Sequence, residues 1–360
     1  MYQLHAEDFY RAKNQKSFYV DELLLRSVLS CLPSPYITVI VTAHDRRKYL
    51  QGAVTSTLDQ SLPNSLYEVI VVKDFSNVEI DSWLNKKGIL NLYSNSQGIG
   101  GKIYEALQYA RGEVISFLED DDEFLHQKLE TVFHAFKNGC DYYHNEQVII
   151  TDSGLIKNKT SRPSYWLHSD QLARYLYFMG KIGAHNNSSS IAIRASILKD
   201  QESLIRNIRL STDIFYFIAS LMHGRLFFLD GSALTLFRVH PGQSNINIQD
   251  LESFIERKAR ATEIHLNDMD IMLSIVKGTP YESYFRYILK DLQVNCVIYN
   301  CGRRVTWSYR DLKYYFHLPS SGFLNLIQTF YKLFILMLPI ARRAQSLHLY
   351  YSLTRKYLNK

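Results

Sequence analysis

The run Glu119-Asp120-Asp121-Asp122 is the stretch of this chain best equipped for chemistry. Adjacent carboxylates repel one another unless a cation holds them. Hard divalent cations such as Mg²⁺ and Mn²⁺ prefer such oxygen donors and usually share the metal with a substrate phosphate. The apolar segment Val114-Ile115-Ser116-Phe117-Leu118 ahead of the run reads as a buried strand. Carboxylates at the exit of such a strand sit where open α/β sheets bind ligands. Residue type and position therefore fit a metal–diphosphate site. They fit equally a solvated acidic loop before a helix, with Asp122 or Glu123 as cap or first-turn residue, and the run by itself leaves both readings open.

A second segment with chemical potential is Gly98-Ile-Gly-Gly101-Lys102, which opens a helix. Small residues at a helix N-terminus let backbone N–H groups and Lys102 approach an anionic phosphate; a flexible turn is the alternative. It is not a Walker loop, because the glycine spacing is wrong and Ile103 replaces Ser/Thr. It is not a dinucleotide fingerprint, because it lies late in the fold instead of after the first strand.

The elements that must position these residues are legible from periodicity. Tyr36–Thr42, Glu68–Val72 and Ile89–Tyr93 read as buried strands, and residues 46–59 and Lys102–Arg111 as helices, the latter stopped by Gly112. This alternation predicts a mostly parallel sheet with helices on both faces. Past residue 125, Asp141–Ile150, Ser188–Ile193, Arg225–Leu229 and Ala233–Arg238 read as strands and 209–223 as a helix. Three regions follow: a helical lead-in over 1–33, closed by Pro33 and Pro35; an α/β domain over 34–245; and a mainly helical, basic extension over 246–360, broken near Pro319–Gly322.

The 360 residues exceed one ordinary core, and 46% hydrophobic with 21% charged residues describes a folded protein. Cys31, Cys140, Cys296 and Cys301 are spaced neither as a disulfide framework nor as a zinc site, which suggests a reducing compartment. The acid-bearing N-terminus does not read as a secretory signal. From Arg303 onward ten Lys and Arg face a single acid, Asp311, which points to an anionic partner. Residues 323–340 are nearly apolar, with Asn325, Gln328, Thr329 and Lys332 in one narrow stripe and Arg342 and Arg343 following. This reads as a helix lying in a membrane surface, or as a helix packed on the domain or on a second copy. Its apolar bulk suits lipid better than a phosphate backbone, so no nucleic acid is expected as a partner.

The series YITVIVTAHDRRKYL, EVIVVKDFS, GEVISFLEDDDEF, STDIFYFIASLMHG and FRVHPGQS, in that order from residue 36 to about 245, resembles the family 2 inverting glycosyltransferases of the GT-A fold. The resemblance implies a Rossmann-like mixed, mostly parallel sheet flanked by helices. It implies transfer of a sugar from a UDP- or GDP-linked donor to a hydroxyl of a glycan or lipid-linked acceptor, assisted by Mn²⁺ or Mg²⁺. On this sequence it assigns Thr42, Ala43 and Asp45 to base and ribose, and Asp74 to an N–H of the base. Lys102 and Asp120 join the nucleotide set, and Lys73 meets phosphate. Asp121 becomes the main metal ligand, with Glu119 and His240 as further ligands, and Arg238 a phosphate partner. Asp213 becomes the base that deprotonates the acceptor. Asn186–Ser190 shapes the sugar and acceptor pocket, with Tyr165, Trp166 and His185 as further lining. The implied site is cytoplasmic, at the inner face of the cell membrane, with 323–360 as a peripheral contact.

Two departures stand out: Glu119 and Lys73 replace the aspartates usual at those positions. They invite an alternative, an inactive GT-A domain that binds a sugar nucleotide or glycan without turnover. A nucleotidyltransferase would carry a basic glycine-rich loop after the first strand, and His44-Asp45-Arg46 is not one.

Overall fold

The computed structural model describes residues 34–44, 47–152, 154–157, 162–240 and 251–301, together with Lys332, Phe334 and Ser346. The expected lead-in over 1–33, Asp45, and the apolar stretch 323–340 apart from Lys332 and Phe334 lie outside the described residues. The chain divides into two compact units. The first is built from residues up to Ser169, His185–Ile208 and Thr212–Arg238; the second from Asp170–Ala184, Arg209–Ser211 and Val239 onward.

The first unit is the expected α/β sheet. Its four leading strands are β1 (Ile37–Ala43), β2 (Tyr67–Lys73), β3 (Leu90–Tyr93) and β4 (Val114–Glu119), and they run parallel in the order β3-β2-β1-β4. The β-branched runs ITVIVTA and YEVIVVK make β1 and β2 buried on both faces, as a central parallel strand requires. Register places Thr42 beside Val72 on one side and Glu119 on the other. The strand exits therefore share one rim. There Ala43-His44, Lys73-Asp74 and Glu119-Asp120 meet.

Beyond β4 the sheet turns mixed. β9 (Ile191–Arg194) pairs antiparallel with β4 and with β6 (Tyr142–Thr151), and β6 pairs parallel with the long β10 (Leu226–Arg238). Short strands β5 (Glu123–Phe124), β7 (Gly154–Lys157) and β8 (Tyr165–His168) complete ten strands among the described residues. The two strands expected over 225–238 are one strand, with register shifts against β6 between Asp230 and Thr235. A bulge re-aims the side chains that follow it.

Helix α1 (Arg47–Leu58) buries Leu50, Ala53, Val54 and Thr57, an i, i+3, i+4, i+7 face. It packs with α4 (Lys128–Lys137) in the core cluster that holds Val39, Val71 and Leu118. Helix α2 (Val78–Lys86) is capped by Asn77, whose side chain accepts from the Ile80 amide. Helix α3 (Ile99–Leu107) begins three residues before the expected Lys102 and stops short of Gly112. Its glycines answer a packing demand. A Cβ on Gly100 would lie 2.1 Å from the Ile205 carbonyl oxygen, and one on Gly101 would lie 1.8 Å from Ser96 Oγ. Helices α5 (Ser169–Lys181), α6 (Ala195–Lys199), α7 (Glu202–Ile205) and α8 (Thr212–His223) follow.

The described part of the second unit is helical, as expected: α9 (Leu251–Val276) and α10 (Glu282–Tyr299) pack together. Asp268 of α9 accepts the amides of Arg209, Leu210 and Ser211 at 2.9, 2.8 and 2.9 Å, and Lys332 bonds Asp291 at 2.6 Å. Among the described residues no helix is long and apolar enough to cross a membrane, and Cys140, Cys296 and Cys301 form no disulfide.

Because Gly100 abuts backbone, Gly100→Ala forces α3 away from the 205–208 turn. The expected cost is about 1–3 kcal/mol, read by urea unfolding; an unchanged midpoint would contradict this packing account.

Candidate active site

Asp74, the run Glu119–Asp122 and Asp213 occupy the sheet rim at the exits of β2 and β4 and at the start of α8. Asp74 follows β2. Both of its side-chain partners fall on Oδ2: the Lys102 ammonium at 2.8 Å and the His44 ring. Burial pushes the Asp74 carboxyl up, but Lys102 and His44 outweigh it and hold it below the usual carboxylate range. Lys102 also donates to the Ala43 carbonyl at 2.9 Å and is itself buried. This differs from the expected phosphate contact: the ammonium is committed inside the protein, as counter-charge to Asp74 and tie between β1 and α3. Lys73 is likewise buried, pairing with Asp81 at 2.7 Å and donating to the Phe75 carbonyl at 2.8 Å, so it shapes the turn that carries Asp74.

Beside Asp74 lies a cavity of about 340 Å³, lined by His44, Asp74, Phe75, Tyr93 and the segment Ser94–Gln97. Tyr93 is 57% exposed, a ring open to stacking. Apart from His44 and Asp74, these lining residues were missed in the sequence. The available signal was topological: Ser94–Gln97 follows β3, so it must reach the same rim as the residues after β1, β2 and β4.

The acidic run comes next along the rim. Asp120, Asp121 and Asp122 are buried while Glu119 and Glu123 keep some exposure. Asp120 Oδ2 accepts the His44 amide at 3.0 Å, which joins the run to the exit of β1. Arg238, at the end of β10, donates its amide to Asp122 at 2.9 Å and its Nε to the Asp121 carbonyl at 2.9 Å, and pairs with Glu123. Arg238, expected at a phosphate, thus fixes the backbone of the run. Burial and the adjacent Asp121 charge push the Asp122 carboxyl up to about 7, against the pull of Ser189, the Arg238 amide and Asn187. Among the described residues no three His, Cys, Asp or Glu side chains form a ready cluster for a metal, and His240 is buried within the second unit.

Asp213 stands in the first turn of α8. Its Oδ1 accepts the Ile214 amide at 2.8 Å and its Oδ2 the Asn187 amide at 3.2 Å. Burial nonetheless prevails and pushes the carboxyl up to about 6. The segment 187–190 ties this residue to the acidic run, because Ser189 Oγ accepts the Glu119 amide at 3.0 Å. Tyr216, stacked on Phe117 at 3.9 Å between ring centroids, feels the charge of both Asp213 and Glu119. Asp74, the acidic run and Asp213 thus form one connected rim, through His44 on one side and 187–190 on the other. Of the outlying candidates, Trp166 stacks on Phe228 at 4.2 Å and is 42% exposed, and His185 is half-buried, its ring pushed down to about 4 by desolvation and hence neutral. Tyr165 pairs with Leu229 in the β8–β10 ladder.

Comparison with known proteins bears on this rim. Residues 38–201 match the family "Glycosyl transferase family 2". Residues 38–201 therefore carry a glycosyl transferase family 2 domain. An uncharacterized glycosyltransferase of Nostoc sp. is 25% identical over 248 residues, covering 64% of this chain and 74% of that protein. The GalNAc(5)-diNAcBac-PP-undecaprenol β-1,3-glucosyltransferase of Campylobacter jejuni is 29% identical over 131 residues, covering 34% of this chain and 41% of that enzyme. The structure of Staphylococcus aureus TarS 1–349 in complex with UDP aligns with a TM-score of 0.50 at 16% identity, over 84% of this chain and 81% of that one, which shows a shared fold. This family 2 glycosyltransferase therefore has the expected GT-A type α/β architecture.

In this glycosyltransferase the Lys102–Asp74 pair links the cavity beside Asp74 to the sheet. Lys102→Met strands a carboxylate that keeps some solvent, so the expected loss is about 2–3 kcal/mol, below the ~3–5 kcal/mol of a fully buried pair. Because the Asp74 pKa is lowered in the folded state, the pair's contribution is complete above the ordinary Asp range and is lost progressively as pH falls from that range through the lower folded value. Urea unfolding at pH 7 and pH 3 tests this; equal losses at both values would reject the pairing account.

Proposed function

We propose that this glycosyltransferase moves a sugar, with inversion, from a uridine diphosphate-sugar to a hydroxyl of a glycan or lipid-linked acceptor. The observation that carries the reading is Asp213: a carboxylate near pH 6 in its titration, joined through 187–190 to the acidic run. A general base works best with a pKa close to the working pH. The acceptor oxygen attacks the anomeric carbon, its proton passes to Asp213, and the bond to the diphosphate breaks on the opposite face.

The base assignment rests on Asp74. Lys102 and His44 both take Oδ2, which leaves a ligand one carboxylate oxygen, Oδ1. Uracil presents one ring N–H, whereas guanine presents an N–H and an adjacent amino group that together suit two oxygens. The cavity at Tyr93 and Phe75 offers the stacking surface for that ring. The solved relative bound to UDP is consistent with this choice.

A divalent cation, Mn²⁺ or Mg²⁺, fits the acidic run. Asp122, pushed up to about 7 by burial and the neighbouring Asp121 charge, would be relieved by a cation, and such ions are commonly held by one or two carboxylates plus substrate phosphates. Asp121 would hold it, with Glu119 or Asp120 beside, and the cation would supply charge to the diphosphate leaving group. The acceptor class follows relatives named for undecaprenol-linked substrates in Campylobacter jejuni and Escherichia coli. With it goes a cytoplasmic site at the inner membrane face, approached through the basic 323–360 segment; deletion of that segment is expected to move the protein from the membrane to the soluble fraction, and an unchanged distribution would refute attachment.

Titration calorimetry with UDP and GDP tests the donor: UDP binds about tenfold or more tightly than GDP, and Asp74→Asn removes most of that preference. Asp213→Asn lowers kcat by roughly 10²–10⁴ while UDP affinity stays within about twofold. In the wild type the rate falls as pH drops below about 6, where Asp213 is protonated. Equal affinity for both nucleotides would overturn the base assignment, and full turnover by Asp213→Asn would overturn the mechanism.

A further inference from the structure

Asn187 is one of two non-glycine residues in the left-handed half of backbone space among the described residues, with φ 64° and ψ 103°. A side-chain-bearing residue holds such a conformation only where its surroundings over-determine it. Here they do. The Asn187 side chain accepts the Ser189 amide at 3.0 Å and donates to Gln147 Oε1 at 2.6 Å. The strained peptide points the Asn187 N–H at Asp213 Oδ2.

Beneath this segment runs a buried polar column. Thr235 Oγ1 donates to the Ser189 carbonyl at 3.1 Å and accepts from Asn145 Nδ2 at 3.0 Å. Asn145 Oδ1 in turn accepts from the fully buried Lys128 Nζ, which lies 5.0 Å from the centre of the Tyr143 ring and 5.3 Å from that of Phe124. Thr235 follows the irregular register of β10, which turns its hydroxyl toward 187–190. A polar column this deep, with each group in it bonded, is costly to leave half-satisfied and therefore rigid. Nothing in the packing of the sheet itself requires it, since an apolar residue of the same shape would fill the space of Thr235.

We propose that Asn187 and Thr235 are positioning residues for glycosyl transfer: the Thr235 hydroxyl, backed by Asn145 and Lys128, holds 187–190 in the strained conformation that aims the Asn187 amide at Asp213. The same segment, through Ser189 Oγ and the Glu119 amide, fixes the acidic run relative to the base. Donor and base thereby keep one spacing. This rests on the reading of Asp213 as the base.

The test uses the full chain with Thr235→Val, Thr235→Ser and Asn187→Gly. Melting temperature, UDP affinity, and kcat and KM from pH 5 to 8 are measured for each. Thr235→Val is expected to lower kcat by about tenfold or more, the size of a lost buried hydrogen bond expressed as a rate, with donor KM within about twofold. The acid limb of its pH profile moves upward, because Asp213 loses an amide donor. Thr235→Ser restores both. Asn187→Gly, which accepts the positive φ and lacks the side-chain anchors, keeps its melting temperature and loses kcat in the same way; it decides the matter if Thr235→Val does not fold. A Thr235→Val enzyme with wild-type kcat and acid limb overturns the proposal, as does a serine variant no better than valine. Failure of the base reading looks different: turnover by Asp213→Asn, or no acid limb in the wild type.

Discussion

Like charges crowded at one sheet rim are the constraint on which this structure turns. Asp74, Glu119 to Asp122 and Asp213 all reach it, because parallel strands joined by crossover helices deliver their exits to the same edge. Among the described residues Lys73, Lys102 and Arg238 sit at this rim with their charges committed inside the protein: Lys73 answers Asp81, Lys102 answers Asp74, and Arg238 answers Glu123 and the Asp121 carbonyl. Backbone amides do the remaining work, from His44 to Asp120, from Arg238 to Asp122 and from Asn187 to Asp213. Amides stabilise negative charge without neutralising it. The rim stays acidic, and that is the electrostatic character a cation-assisted diphosphate site would need.

The carboxylates differ in environment, and the differences separate their roles. Asp74 is held low by its bonds to Lys102 and His44, so it remains an acceptor across the physiological range. Asp213 is raised to about 6 by burial, which suits proton transfer. Residue type alone cannot make this distinction, because both are aspartates at the end of one element or the start of another. A Lys at 2.8 Å from one carboxylate and only amide donors on the other separates them.

Local signals in the chain were read well where one force dominated. The β-branched runs of β1 and β2 appear within a residue of their expected bounds, since burial on both faces leaves no other pattern. The signals are ambiguous where two forces produce the same residues. Gly100 and Gly101 look like an approach to phosphate, but they are there because backbone and Ser96 press against them. Asp230-Gly231 looks like a turn between two strands, but it is an irregularity within one. Lys73 and Lys102 look like phosphate ligands until their buried partners Asp81 and Asp74 are seen.

The sequence by itself determined which chemical groups leave each strand, and in what order, because strand and helix periodicity depends on neighbours two to four residues away. That was enough to expect a GT-A type glycosyltransferase and to single out Asp74, Asp121 and Asp213. Only the tertiary structure decided what each group can do. The bond from Asn187 to Asp213 spans 26 residues, that from His44 to Asp120 spans 76, and that from Arg238 to Asp122 spans 116. Burial and hydrogen bonding shift a carboxylate's proton affinity, and both are set by residues the chain brings back from such distances, which no local pattern encodes.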